Sequence, residues 1–115
     1  MGLTFKEDVP DTRNSKAKEL TDRLKAQGSL VFGHDPMVRN LNHLDYFNIS
    51  IITDWPPKEL FDCVVIFSPH KIFGTTDYSL NSLKAICSAD PIIFDIKGFY
   101  DKNEAESLGF IYFTL

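Results

Sequence analysis

Four cationic side chains fall in turn-forming stretches: Lys6 after Gly2-Leu-Thr-Phe5, Arg13 within Asp11-Thr-Arg-Asn-Ser15, Lys71 after Pro69-His70, and Lys97 within Asp95-Ile-Lys-Gly98. An ammonium meets a phosphate as a point charge, whereas a guanidinium grips it through paired N–H groups. Lys6 and Lys97 each follow an apolar run directly and are the stronger candidates; Lys71 reads equally as a solvated surface charge. Lys6 and Arg13 also flank one loop, because Val9-Pro10-Asp11 neither continues a strand nor starts a helix comfortably. Residues 2–5 read as the tail of an apolar strand and a helical pattern follows Ser15. The loop is therefore a strand-to-helix turn, the place where open α/β sheets hold anions.

The elements that must position these groups alternate along the chain. Ala17, Leu20 and Leu24 share one face of a helix over Lys16–Gln27, capped by Asn14 or Ser15 and stopped by Gly28. Leu30–Gly33 reads as a short strand closed by His34-Asp35-Pro36. Met37–Phe47 carries a weak helical pattern, and the β-branched run Ile49–Thr53 a short strand. The continuous apolar run within Asp62–Phe67 predicts a parallel strand buried on both faces. Ser79 caps a helix carrying Leu80, Leu83 and Ile86, with Cys87 at its end. Pro91–Phe94 is another buried strand, Asn103–Leu108 a short helix, and Gly109–Thr114 a last strand. Such alternation predicts one α/β domain over residues 1–115, a doubly wound, mostly parallel sheet with helices on both faces. Met1 abuts the first strand tail, so that strand is expected to be truncated and the chain a fragment of something longer.

In such a sheet, ligands sit outside the carboxyl ends of the strands. This selects Phe5 and Lys6, His34 and Asp35, His70 and Lys71, and Asp95 and Lys97. Asp35 is either a partner for a ribose hydroxyl or, before Pro36, a turn former. His34, His43 and His70 lack the spacing of a metal cluster and read as hydrogen-bonded or partly buried loop histidines, so no metal is assigned. A glycine-rich dinucleotide fingerprint is also missing, which excludes a complete NAD site.

Composition narrows the classes further. A 115-residue chain with 43% hydrophobic residues suits a single core, and its net charge of −4 with pI near 5.2 speaks against general nucleic-acid or membrane-surface binding. Cys63 and Cys87 form no CxxC pair, and no apolar run is long enough for a signal peptide or a membrane span. A reducing, cytoplasmic setting is expected.

Taken together, Gly2-Leu-Thr-Phe-Lys6, Asp11-Thr-Arg-Asn-Ser15, His34-Asp-Pro36, His70-Lys-Ile-Phe73 and Asp95-Ile-Lys-Gly98 resemble the C-terminal UDP-sugar-binding domain of the UDP-glucose/GDP-mannose dehydrogenase family, over nearly the whole chain. The resemblance implies a Rossmann-like fold and a part in NAD-dependent oxidation of a sugar C6 alcohol to a carboxylate through a cysteine-bound intermediate. It implies that Phe5, Lys6 and Lys97 contact the UDP-sugar and that Arg13 approaches the NAD pyrophosphate. NAD itself would be held mainly by a missing N-terminal domain, which would also carry the nucleophilic cysteine and leave this fragment inactive alone. The full enzyme is expected to be a homo-oligomer. Lys97 and His70 depart from the UDP-glucose branch, which favours arginine and Thr-Glu-Trp there, and point to UDP-N-acetylhexosamines and surface-polysaccharide precursors. The competing readings are a stand-alone nucleotide-binding or regulatory module and, more distantly, a phospho-receiver, whose acidic pair would have to come from Glu7 and Asp8.

Overall fold

The amphipathic segment after Ser15 forms helix α1, Ala17–Ala26, in the computed structural model, which describes residues 1–115. Ser15 Oγ accepts the Ala17 amide at 3.2 Å, and Gly28 takes φ +91° beyond its C-terminus. Two short parallel strands follow, β1 (Phe32–Gly33) and β2 (Ser50–Ile51), with a 3-10 helix over Leu41–Phe47 between them. The weak helical pattern over Met37–Phe47 thus yields a helix of 3-10 type, confined to its second part. Asn40 caps it through the Asn42 amide, and Asn48 ends it in the left-handed region at φ 53°.

The second half is more regular. Strand β3 (Phe61–Ile66) pairs with β4 (Cys87–Asp95), and β4 with β5 (Ile111–Thr114), all parallel. Helix α2 (Leu80–Ala85) starts where Ser79 Oγ accepts the Ser82 amide, and α3 (Lys102–Ser107) where Asp101 accepts from Glu104. Cys87 is not helical as expected but opens β4, which is much longer than Pro91–Phe94. A register shift between Phe61 and Cys63, opposite Asp90 at φ 59°, absorbs the extra length.

Two apolar clusters lie on opposite sides of the strands. Val64, Ile66 and Ile93 pack with Phe73, Leu83 and Phe110 beneath α2 and α3. Leu3, Ala17, Val38, Leu44 and Phe47 pack beneath α1. This gives the expected α/β fold with parallel strands, yet the strands fall into two sheets, β1–β2 and β3–β4–β5. The expectation that Asp62–Phe67 is buried on both faces fails, because Asp62 and Cys63 are exposed. On the β1 side only residues 1–3 run beside β3, and their bonds reach Val65 and Phe67 rather than Asp62 and Cys63.

Residues 2–5 form no regular strand. Their leading end nevertheless makes ladder bonds, since the Met1 ammonium donates to Val65 O at 2.6 Å and Phe67 N–H to Met1 O at 2.8 Å. On the other side Gly2 N–H donates to His34 O at 2.9 Å. Gly2 is obligatory here, with φ +79° and an added Cβ 2.2 Å from Ser68 O.

Candidate functional site

The carboxyl ends of β1, β3 and β4 converge on the loop at residues 4–8. The loop starts as the chain leaves the sheet after Leu3, and buried polar groups from both flanking strands pin it. Leu3 N–H donates to Asp35 Oδ2 at 2.6 Å, and Met37 N–H to Oδ1 at 2.9 Å. His70, fully buried, accepts the Asp8 amide on Nδ1 at 2.9 Å. Its proton therefore sits on Nε2, which faces the Asp35 carboxylate at 3.0 Å. Ser68 Oγ donates to Thr4 O at 2.7 Å, and Phe5 N–H to Asp11 O at 2.7 Å. Asp8 takes φ 61° and closes the turn by accepting the Lys71 amide at 2.8 Å.

Burial on its own would raise the Asp35 carboxyl, but the hydrogen bonds it accepts from His70 and from the Leu3 and Met37 amides bring it below its ordinary value. Asp35 is thus an ionised anchor inside the fold. It is a turn former, as one reading of Asp35-Pro36 had it, and its buried oxygens are already occupied. His70 is a hydrogen-bonded structural histidine. So is His34, whose Nδ1 donates to Ile52 O at 3.0 Å while Nε2 accepts from Tyr78 O–H at 2.9 Å. Burial lowers the His34 pKa, and its ring stacks on Trp55, which in turn stacks on Tyr78.

What the loop offers to solvent is Phe5 and Lys6, both exposed, with no ion pair at Lys6. Lys97 joins them from β4 by pairing with Glu7, whose carboxyl it holds below the usual range. The turn that carries Lys97 is fixed by Asp95, fully buried, whose Oδ2 accepts Tyr100 N–H at 2.7 Å and Tyr112 O–H at 2.8 Å. Arg13 goes elsewhere. Its side chain, 85% exposed, forms a bidentate pair with Asp11 at 3.0 and 2.9 Å, which holds Asp11 at about 2. The structure thus brings Phe5, Lys6 and Lys97 to one loop and leaves Arg13 on its outer arm.

Neither cysteine is prepared as a nucleophile. Desolvation by packed neighbours raises both thiols, that of Cys87 to about 11, the reverse of what a thiolate requires. Glu7 and Asp8 are engaged by Lys97 and the Lys71 amide, which leaves no free acidic pair for a phospho-receiver.

The sequence selected His70 and Asp35 by position but gave no hint of their contact. The available signal was topological: each follows a strand flanking residues 1–3, so both must border the loop that those residues enter.

Comparison with known proteins gives a consistent picture. The family described as "UDP-glucose/GDP-mannose dehydrogenase family, UDP binding domain" matches residues 1–102. Protein CapL of Staphylococcus aureus is 32% identical over 90% of this chain and 24% of its own length. A UDP-N-acetyl-D-mannosamine dehydrogenase of Methanococcus maripaludis is 29% identical over 95% of the chain and 24% of its own. A UDP-glucose 6-dehydrogenase of Rickettsia bellii is 28% identical over the whole chain and 26% of its own length. The chain spans about a quarter of these relatives. No helix is long and apolar enough to cross a membrane.

Proposed function

This chain belongs to the UDP-glucose/GDP-mannose dehydrogenase family as its UDP-binding domain, and we propose that it supplies the nucleotide-sugar pocket of a longer NAD-dependent 6-dehydrogenase. Phe5, Lys6 and Lys97 form the pocket wall, and the ligand is a UDP-N-acetylhexosamine. One observation carries this reading: Lys6 is an unpaired ammonium on a loop whose backbone is fixed by buried hydrogen bonds from Asp35, Ser68 and His70. A cation held in place without a partner binds an anionic group at little cost in ordering.

Lys97 would meet the same ligand by exchanging its surface pair with Glu7, which solvent already weakens. Phe5, 56% exposed, provides an apolar face beside the two ammonium groups for a base or sugar ring. Arg13 would turn from Asp11 toward a cofactor held by another domain. NAD would supply the hydride acceptor there; this chain's residues bind and orient the substrate.

Isothermal titration of the 115-residue chain with UDP, UDP-N-acetylglucosamine and UDP-glucose tests the reading. The N-acetylated sugar nucleotide is expected to bind most tightly, and Lys6→Ala to weaken it by roughly tenfold or more, the worth of a charged hydrogen bond. Equal affinity in the variant would remove Lys6 from the pocket. Tighter binding of UDP-glucose would overturn the hexosamine assignment.

A further inference from the structure

Strands β2 and β5 each border a sheet on its outer side, and they differ in how that edge is protected. An edge strand is ordinarily blunted by shortness, charge, proline or a bulge, because its unpaired N–H and C=O groups otherwise recruit another strand. β2 is blunted by its length of two residues. β5 has none of the other protections and is twice as long. It keeps unbroken register with β4, and residues 109–115 contain neither a charged side chain nor a proline.

The side chains of β5 leave one face open as well. Phe110 and Tyr112 turn to the covered side, where Phe110 is buried and Tyr112 O–H reaches Asp95. Ile111 and Phe113 turn to the other side and are 48% and 53% exposed, and Ile92 and Phe94 beside them on β4 are only half-buried. Charge comes from α3. As the crossover from β4 to β5 this helix lies over that strand pair, with Ala105 buried against the sheet. The right hand of the crossover and of the helix then places Lys102 and Glu106, one turn apart and both exposed, on the flank above the outer edge of β5. Their own pair, 3.9 Å long and open to solvent, contributes little to the monomer.

We propose that β5 pairs antiparallel with β5 of a second copy of this chain, about a two-fold axis perpendicular to the sheet. Strands in a sheet lie about 4.8 Å apart, so the two α3 helices come to lie roughly 10 Å apart across the axis, near the usual spacing of packed helices. They run antiparallel, so Lys102 of each copy approaches Glu106 of the other. This complementarity also sets the register. Phe110 N–H donates to Ala105 O at 3.0 Å, which brings the middle of α3 level with Ile111. An axis at Ile111 therefore matches lysine with glutamate, whereas an axis at Tyr112 would set Lys102 against itself. On the open face, Ile111 and Phe113 of both copies join into one apolar surface, with β-branched and aromatic side chains as cross-strand neighbours. The pairing is isologous and uses up both β5 edges, so assembly closes at two copies. None of Phe5, Lys6 or Lys97 takes part in it.

Sedimentation equilibrium of the 115-residue chain tests this. Two short strands and two short helices make an interface at the small end of the known range, so a reversible dimer with a dissociation constant on the order of 100 μM is expected. Ile111→Lys sets two ammonium groups against each other on the axis and is expected to weaken the dimer at least tenfold with Tm unchanged at low concentration. Lys102→Glu is expected to weaken it about threefold, and Lys102→Glu combined with Glu106→Lys to restore it, since the swapped charges meet again across the axis. Amide exchange of β5, measured in dilute and in concentrated native protein, should slow with concentration. A chain that stays monomeric at about 1 mM overturns the proposal. So does a dimer that Ile111→Lys leaves intact or whose β5 amides exchange at the same rate in both samples. If Ile111→Lys does not fold, the charge swap decides, and a double variant no tighter than Lys102→Glu counts equally against the interface.

Discussion

The seam between β1 and β3 is closed at one end and open at the other, and the two ends are built from different chemistry. The carboxyl end is polar and satisfied: Asp35, Ser68 and His70 are buried, and each is hydrogen-bonded to the backbone entering the loop. The amino end is apolar and unsatisfied, with Leu20, Leu24 and Phe32 half-buried around a cavity. A buried polar network fixes one geometry because each member loses a partner if it moves. An apolar wall makes no such directional demand. The loop presenting Lys6 is accordingly preorganised by this chain's own residues, whereas no such polar network fixes the amino end of the seam.

The largest effect is expected from breaking the closed end at its tightest contact. Gly2→Ala places a methyl 2.2 Å from Ser68 O at a positive φ, and should destabilise by roughly 3 kcal/mol or more, read as a fall in the urea midpoint. Asp35→Ala should approach this, at about 3 kcal/mol, because it strands the Leu3 and Met37 amides and His70 at once. A loss below 1 kcal/mol in either variant would mean that the closed end does not hold the loop.

The Met1 ammonium, bonded to Val65 O, gives the 115-residue chain a signature in pH. Desolvation lowers the Met1 ammonium from 8.0 to about 6 in the fold. Between these values the unfolded chain binds more protons, so stability should rise with pH from about 6 to about 8, by roughly 2–3 kcal/mol in total, and be flat below 6 from this group. Denaturation midpoints across that window measure it, and an N-terminal extension that converts the ammonium to an amide should abolish the slope. Asp35 acts in a different window. Its depressed pKa contributes stability above the unfolded value near 4 that is lost as pH falls through the folded one.

The smallest effect is expected at Arg13→Ala. Its pair with Asp11 lies in solvent and touches neither end of the seam, so the urea midpoint should not move measurably. A clear shift would show that the outer arm of the loop contributes to the closed end after all.

The alternation of strand and helix was legible because it rests on local pattern. The apolar stripe of α1, the Ser79 cap, and the Gly28 stop all act within a few residues of themselves. Strand extents were not, since a strand is as long as its neighbour allows. Leu30–Gly33 shrinks to two residues beside the open end of the seam, while β4 grows to nine between β3 and β5. Cys63 is exposed for the same reason, despite the apolar run around it.

By itself the sequence determined the fold class, the family, and the turns that carry Phe5, Lys6 and Lys97, because periodicity and short motifs are properties of neighbouring residues. Only the tertiary structure decided what His70 and Asp35 do, that Lys97 reaches the loop through Glu7, and that the sheet is divided at Met1. Each of these joins residues far apart in the chain, across contacts that no local pattern encodes.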